Sequence, residues 1–261
     1  MSEKVWFLKR CDLFERLSPE QLNGVETRSR IRKYPRSSPV YLPDDQADGV
    51  LLLAEGRVRI SNFTADGKQA ILAFIEPGEL FGELALFDSG GREEFAETAE
   101  PSTIVLIPGD EMRRLMEAAP QVALGVTKLI GLRRRRIERR LKSLLFRSNR
   151  ERLVHLLLEL ADQYGRPDPD GILIDIKLSH QDLANVIGST RETVTVTLGE
   201  LQTDGNVRIA RRTIVLTNPK RLAASIDQAP PRTLGGSLDA AQSRSPTSLP
   251  VVKPRPDPRG M

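Results

Sequence analysis

Arg191 and Glu192 stand side by side at the start of a predicted helix, and their side chains have the chemistry that reading a DNA sequence requires. An arginine can donate two hydrogen bonds to guanine, and a glutamate can accept one from the N4 amino group of cytosine. The residues before them indicate a short helix over 179–187 and a tight turn at Gly188, where the missing side chain permits a sharp corner. The pattern predicts a helix-turn-helix over residues 179–200 whose second helix enters the major groove of duplex DNA.

Capping residues are predicted at the start of both helices of this motif. Ser179 with Asp182, and Ser189 with Glu192, have the spacing of a capping box, in which side chains bond the first amides of a helix. One face of the second helix is apolar and is expected to pack inward through Val194, Leu198 and Leu201. The opposite face is expected to be exposed, and it carries Arg191, Glu192, Thr195 and Val196.

A small basic hairpin is predicted after the helix-turn-helix and completes a winged helix. Residues 207–209 and 213–216 form its strands, and Arg211 and Arg212 lie at the turn, where their guanidinium groups would meet phosphates. The alternative is that Arg191 is only one half of a solvated charge pair on a surface helix. The residues predicted to contact DNA are Ser179, Gln181, Ser189, Thr190, Arg191, Glu192, Thr195, Val196, Arg211 and Arg212.

Length and composition narrow the class of protein. The 261 residues suffice for one large domain or two smaller ones, and a net charge of +4 confines any nucleic-acid-binding surface to a local patch. The single cysteine, Cys11, excludes an internal disulfide, and no apolar run reaches the roughly 18 residues of a membrane helix. We therefore expect a soluble, cytoplasmic protein that does not contact a membrane. Neither a metal site at His155 or His180 nor a catalytic constellation is indicated, so an enzyme is not expected.

The first half of the chain is predicted to form a β-roll followed by one long helix. Short β-rich runs separated by turn residues extend from about Val40 to Leu106, a pattern typical of a barrel or roll. After Pro120 a single helix is predicted to continue to about Phe146. Apolar residues recur along this helix as in the seam of a two-stranded coiled coil, at Val126, Ile130, Ile137, Leu141 and Leu144. The alternative is a helix that packs on its own domain.

These segments predict an α+β protein in four parts. Residues 1–118 are the β-roll sensor domain, 119–147 the dimerisation helix, 148–221 the winged helix-turn-helix domain, and 222–261 a disordered tail rich in Pro, Ser and Arg. Within the third part, the Pro, Asp and Gly residues over 165–171 predict a loop.

Arg133 lies on the predicted seam between Ile130 and Ile137, where a charge needs a partner to offset its desolvation. Two interpretations stay open. The guanidinium pairs with an acid of the roll, Glu83 or Glu94, or it waits for an anionic effector.

A β-roll, a long helix and a winged helix in this order resemble the CRP/FNR family of bacterial transcription factors. Residues 171–181, with the sequence GILIDIKLSHQ, and 187–191, IGSTR, are similar to the cyanobacterial global nitrogen regulators, the NtcA-like branch of that family. The resemblance covers roughly residues 10–220. It implies a cyclic-nucleotide-binding-type jelly roll, a homodimer on a palindromic promoter site, and transcription activation with RNA polymerase as a partner.

The resemblance also implies an effector site. Four residues match a phosphate-binding cassette whose backbone amides hold the ligand, namely Phe81, Gly82, Glu83 and Leu84. In the nitrogen branch, Arg133 and Glu138 match an effector-binding pair on the long helix. The effectors that the family implies are 2-oxoglutarate and a cyclic nucleotide, and both are anions.

Two carboxylates depart from the family's pattern. Counting from Gly82, Glu93 and Glu94 stand where cyclic-nucleotide members have the Arg–Ser pair that binds phosphate, and Glu94 also replaces the roll arginine of the nitrogen branch. Each carboxylate would repel an anion at short range, which disfavours both effectors. Arg92 could substitute only if the loop is one residue shorter.

The same resemblance gives a hypothesis for DNA specificity and biological role. Arg191 and Glu192 match the first two base readers of the family, whereas Val196 stands in place of an arginine, which predicts a changed preference at one base pair of each half-site. Control of nutrient genes of the nitrogen type is expected. The alternatives are a ligand-independent or other-effector regulator of phosphate or sulfur starvation, and a small-molecule-binding module that acts on a protein partner.

Overall fold

The computed structural model describes residues 3–15, 17–87, 90–210 and 213–232. The chain forms two compact units, Met1–Leu153 with Leu178–Gly199, and Val154–Lys177 with Glu200–Met261. The fold class predicted from the sequence, a β-roll followed by a long helix and a winged helix-turn-helix, is confirmed.

The roll consists of two four-stranded antiparallel sheets. The first has the strand order β1 (Arg30–Tyr34), β8 (Ser102–Pro108), β3 (Gly49–Glu55) and β6 (Leu80–Phe81). The second has the strand order β2 (Pro39–Tyr41), β7 (Phe95–Thr98), β4 (Val58–Phe63) and β5 (Gln69–Ile75). A short 3₁₀ helix, Glu83–Leu86, follows β6.

Strand β3 is almost continuously apolar because both of its faces are covered. Successive side chains of a strand point to opposite faces, so Leu51 and Leu53 contribute to the core of the roll while Val50 and Leu52 contribute to a second apolar cluster. The roll core also contains residues from the second sheet, such as Ile60. The second cluster is formed largely by helices that pack on the first sheet.

Four helices of the first unit surround this second cluster: α1 (Glu3–Lys9), α2 (Pro19–Arg28), α3 (Gly109–Ala118) and α4 (Pro120–Phe146). Helix α2 has Ser18 as its capping residue and Pro19 in its first turn. Val122 and Val126 of α4 are fully buried in the cluster. The assignment of Val126 to a dimer seam is therefore wrong, because this part of the helix packs on its own roll.

The remaining elements are α5 (Asn149–Tyr164), β9 (Gly165–Asp168), β10 (Gly171–Ile174), α6 (His180–Ile187), α7 (Arg191–Thr203), β11 (Val207–Ala210), β12 (Thr213–Leu216) and α8 (Pro219–Ser225). The four strands form an antiparallel sheet of order β11-β12-β10-β9. The loop predicted over 165–171 is wrong, since these residues begin the β9–β10 hairpin, in which a side chain at Gly171 would collide with the carbonyl oxygen of Leu216.

Helix α8 continues beyond residue 221, where the sequence predicts a disordered tail. The Asn218 side chain accepts a hydrogen bond from the Arg221 amide, and Leu222 and Ala223 are buried. This capping and burial stabilise the helix as far as Ser225. Residues 233–261 of the predicted tail lie outside the described residues. Within the described part of the chain, none of the helices has the length and apolar composition of a membrane span.

Candidate DNA-binding helices and effector cassette

Helix α6 begins at the predicted capping box. The Ser179 hydroxyl accepts a hydrogen bond from the Asp182 amide at 3.1 Å, and the Asp182 carboxylate accepts one from the Ser179 amide at 2.9 Å. The helix ends at Gly188, whose φ of 64° lies in the left-handed region that favours glycine. A Cβ atom there would also lie 3.1 Å from Leu144 of α4. The tight turn that the sequence predicts at this glycine is confirmed.

The second capping box is wrong by one residue. Helix α7 begins at Arg191, and the Thr193 amide donates a hydrogen bond of 3.2 Å to the hydroxyl of Thr190. Thr190 therefore caps the helix in the position that the sequence assigned to Ser189. Both residue types can cap a helix, so local chemistry alone does not distinguish them.

Helix α7 has the two faces that its sequence predicts. Val194, Leu198 and Leu201 are buried on one side. The residues predicted to lie on the outward face are exposed on the other side, namely Arg191, Glu192, Thr195 and Val196. Ser179 and Gln181 are also exposed at the start of α6. The exposed face combines a guanidinium, a carboxylate, a hydroxyl and a methyl-bearing side chain, which is a set that can contact base edges.

Two polar contacts near this surface were not predicted from the sequence. His180 Nδ1 lies 2.9 Å from the hydroxyl of Thr195, which also donates to the Arg191 carbonyl at 2.8 Å, so His180 joins the two helices of the motif. In the wing sheet, Arg208 pairs with Asp168 at 3.0 Å and with Asp170 at 3.1 Å. The predicted wing-tip residues Arg211 and Arg212 lie outside the described residues.

The cassette of the roll is closed by an ion pair with the long helix. The Arg133 guanidinium pairs with the Glu83 carboxylate and donates to the Leu80 carbonyl oxygen. Only 9% of the Glu83 side chain is exposed, so the ion pair with Arg133 offsets the desolvation of the carboxylate. Of the two interpretations of Arg133, the structure favours an internal acid, and that acid is Glu83.

Glu138 does not reach the cassette. Its carboxylate pairs with Arg134 at 2.9 Å on the exposed surface of α4. The structure therefore does not bring together the two long-helix residues that the family resemblance assigns to the effector, Arg133 and Glu138.

Arg92, rather than either neighbouring glutamate, reaches the start of the cassette. Its guanidinium donates to the Gly82 carbonyl at 2.8 Å and to the Gly49 carbonyl at 2.6 Å, and it lies 4.7 Å from the centre of the Tyr41 ring. Gly82 has a φ of 67°, and a Cβ atom on it would lie 2.5 Å from the guanidinium. Arg92 therefore contacts the start of the cassette directly, whereas the places assigned to Glu93 and Glu94 line the cavity beside it.

A cavity of ≈ 280 Å³ lies beside this guanidinium, and Gly82, Leu84, Arg92, Glu93 and Glu94 are among its lining residues. Burial raises the pKa of Glu94, the nearby Glu83 charge raises it further, and Arg133 opposes the rise. Burial, followed by the charge of Glu94, likewise raises the pKa of the Tyr41 hydroxyl. The cavity therefore contains one arginine that is already hydrogen-bonded and one carboxylate that is costly to ionise.

Two family models match the chain. The cyclic nucleotide-binding domain matches residues 31–119, and the Crp-like helix-turn-helix domain matches residues 151–225. Together with the exposed face of α7, these matches define a DNA-binding transcription regulator with a nucleotide-binding-type sensor, not an enzyme.

Curated relatives agree with this class. The global nitrogen regulator of Synechococcus elongatus is 33% identical over 196 residues, which are 74% of this chain and 88% of that protein. The cyclic AMP receptor protein of Thermus thermophilus is 30% identical over 207 residues, 79% of this chain and 93% of that protein. The chain belongs to the CRP/FNR family of transcription regulators.

Solved structures show the same architecture. The c-di-GMP-responsive global regulator CLP of Xanthomonas campestris matches with a TM-score of 0.70 and 25% identity, over 77% of this chain and 100% of that one. FixK2 of Bradyrhizobium japonicum matches with a TM-score of 0.67 and 26% identity, over 77% and 98%.

Breaking the Glu83–Arg133 pair on one side is expected to destabilise the fold. Arg133→Met leaves the Glu83 carboxylate buried without its partner, and we expect the free energy of unfolding to fall by about 2–3 kcal/mol. This loss is smaller than that expected for a fully buried pair, because Arg133 is partly exposed. Urea denaturation at fixed chain concentration measures it. Arg134→Met, which breaks only the exposed pair with Glu138, is the control and should change stability by less than about 0.5 kcal/mol. A loss no larger than the control's would contradict the structural role of the pair.

Replacing Glu94 is expected to change how stability depends on pH. Since the folded-state pKa of this carboxyl is raised, its contribution is most favourable below the ordinary carboxyl value of about 4.3 and is lost as pH rises through the folded value. Glu94→Gln removes that loss, so its unfolding free energy relative to wild type should increase between pH 4 and pH 7. Glu117→Gln, at an exposed position of α3 that is not among the charges acting on Glu94, is the control and should show no such trend. A pH-independent difference for Glu94→Gln would rule out this account.

Proposed function

We propose that the protein is a homodimer that binds a palindromic promoter site and regulates nutrient-response genes, with nitrogen control as the leading assignment. The observation that carries the proposal is the exposed face of α7, where Arg191 and Glu192 project from a helix whose other face is buried. A helix anchored in this way can enter the major groove without losing its packing. The second family model and the nitrogen-regulator relatives support this assignment.

The dimer is supported by the second half of α4. Apolar residues on this half remain exposed, namely Leu132, Ile137, Leu141, Leu144, Leu145 and Phe146. Ile137, Leu141 and Leu144 recur at spacings of four and three, so they form one stripe along the helix. A second copy of α4 would cover the stripe in both chains through a two-fold axis, and would set two α7 helices about one turn of DNA apart.

The DNA site is expected to differ from that of other family members at one position. Val196 is 62% exposed on α7 and has no donor, so it cannot make the two-pronged guanine contact of an arginine. A thymine methyl is the natural partner of this side chain.

Because such a regulator acts on promoters together with RNA polymerase, its place of action is the cytoplasm.

Effector-independent activity is a second candidate, and the internal contacts of the cassette favour it. Glu83 already pairs with Arg133, and Arg92 already bonds two carbonyl oxygens beneath the cavity. An anion such as 2-oxoglutarate or a cyclic nucleotide would have to displace these bonds and approach Glu94. Regulation of a phosphate or sulfur response through another small molecule remains compatible with the same cavity.

Removal of Arg191 is expected to abolish sequence-specific binding. The operator is first selected with the full chain from random duplexes, and Arg191→Ala is then measured on that operator. We expect a loss of about 30-fold to 10⁴-fold at constant salt, because the homodimer loses one two-pronged base contact of about 1–3 kcal/mol in each of its two half-sites. Arg139→Ala, at an exposed arginine of α4, is the control and should leave discrimination between the operator and random DNA unchanged. Wild-type chain that selects no sequence would refute the proposed function and favour a module acting on a protein partner.

The dimer is tested separately at its proposed seam. Leu141→Asp places a carboxylate in the middle of the apolar stripe, where it would be desolvated against its copy, so sedimentation should show monomers at concentrations at which the wild type is dimeric. Lys142→Asp, on the adjacent exposed position, should remain dimeric. Equal sedimentation of wild type and Leu141→Asp would show that this stripe is not the interface.

A further inference from the structure

Helix α6 is bound to the β4–β5 hairpin of the roll by polar side chains far apart in sequence. Arg59 of β4 pairs with Asp182 of α6 at 2.9 Å, and Asn185 of α6 donates to the Gln69 side chain of β5 at 3.1 Å. We call these four residues the strap. All four belong to the same compact unit, and the two contacts lie about one helical turn apart on one side of α6.

Two further arginines hold the end of α6 through its carbonyl groups. Arg140 of α4 donates both to the Leu72 carbonyl of β5 and to the Val186 carbonyl of α6, and so joins three elements. Arg152 donates to the Ile187 carbonyl at 2.8 Å. The last carbonyls of a helix lack partners within the helix, so these arginines satisfy them and fix where α6 ends.

The strap is hydrogen-bonded to residues of α6 that are predicted to contact DNA. Gln181 is one of them, and its side-chain amide donates to Asn185 at 2.8 Å, which in turn donates to Gln69. Ser179 is another, and its amide and hydroxyl are bonded to Asp182, the partner of Arg59. The first helix of a helix-turn-helix crosses the phosphate backbone, so the hairpin contacts the same helix that the DNA would contact.

We propose that the strap is an autoinhibitory contact, in which the β4–β5 hairpin holds α6 in a pose that competes with the phosphate backbone. The inference rests on the proposed function, because it concerns regulation of the same DNA-binding helices. Only the molecules in which α6 has left the hairpin can then bind DNA. The apparent affinity for DNA equals the intrinsic affinity multiplied by the fraction of such molecules. The strap contacts are polar and partly exposed, so each contributes little free energy and the contact between α6 and the hairpin can be broken reversibly.

Weakening the strap from the roll side should increase operator affinity. Arg59→Ala with Gln69→Ala removes both contacts and leaves the capping box of α6 intact, and we expect operator affinity to rise by about five- to tenfold at constant salt, the range that two such contacts can supply. Arg59 also pairs with Glu97 at 2.8 Å, so Glu97→Gln, which preserves the Arg59–Asp182 pair, is the matched control and should bind like the wild type. Unchanged or lower affinity in a double variant that keeps the wild-type melting temperature and sedimentation would overturn the proposal.

A reversible cross-link tests the same contact without weakening the fold. Gln69→Cys with Asn185→Cys places two thiols across the strap in the full chain, where oxidation should join them. The native Cys11 is buried and its pKa is raised to about 11, so it is not expected to compete. We expect the oxidised chain to lose operator affinity by tenfold or more, and a reducing agent to restore it.

The outcomes separate the inference from the proposed function. An oxidised chain that binds operator as tightly as the reduced one would show that the docked pose is compatible with DNA. That result rejects the strap as autoinhibitory while leaving the operator binding of the wild type intact. If the wild type selected no operator, the proposed function would instead be rejected. Formation of the cross-link would still show that α6 contacts the hairpin.

Discussion

The ion pair between Glu83 and Arg133 is the interaction on which the sensor half depends. A carboxylate on the 3₁₀ helix after β6 is almost fully buried, and the guanidinium that compensates it comes from the middle of α4. Without the guanidinium, the carboxylate would be buried without a partner, which costs free energy of folding. The cassette and the long helix are therefore coupled electrostatically, and any ligand that enters the cavity must act on this pair or on Arg92 beside it.

Much of the architecture could be predicted because its signals are local. Strand β3 is an apolar run, Ser179 and Asp182 have the spacing of a capping box, and Gly188 occupies a left-handed position. Each of these features is determined by a few neighbouring residues, so the sequence carries enough information for it. The two faces of α7 were predictable for the same reason, since burial at Val194 and exposure at Val196 follow helical periodicity.

The remaining features depend on contacts between residues distant in sequence. Counting residues from Gly82 does not reveal that Arg92 bonds the Gly49 carbonyl, 43 residues away. Likewise, periodicity along α4 cannot distinguish Val126, which packs on the roll, from Leu141, which is exposed. The pairing of Arg59 with Asp182 joins residues 123 positions apart and has no sequence signature. Such contacts follow from the tertiary fold and are invisible to local patterns.

Helix α4 has 27 residues and runs without interruption from the second apolar cluster to the exposed stripe. At 1.5 Å per residue it is a rod of about 40 Å, with its first turns embedded in one core and its last turns projecting from it. A rod of this kind acts as a lever. Tilting its anchored end by about 5° would displace the far end by roughly 3 Å, so a rearrangement too small to disturb the packing of the roll would still be felt at the other end of the helix.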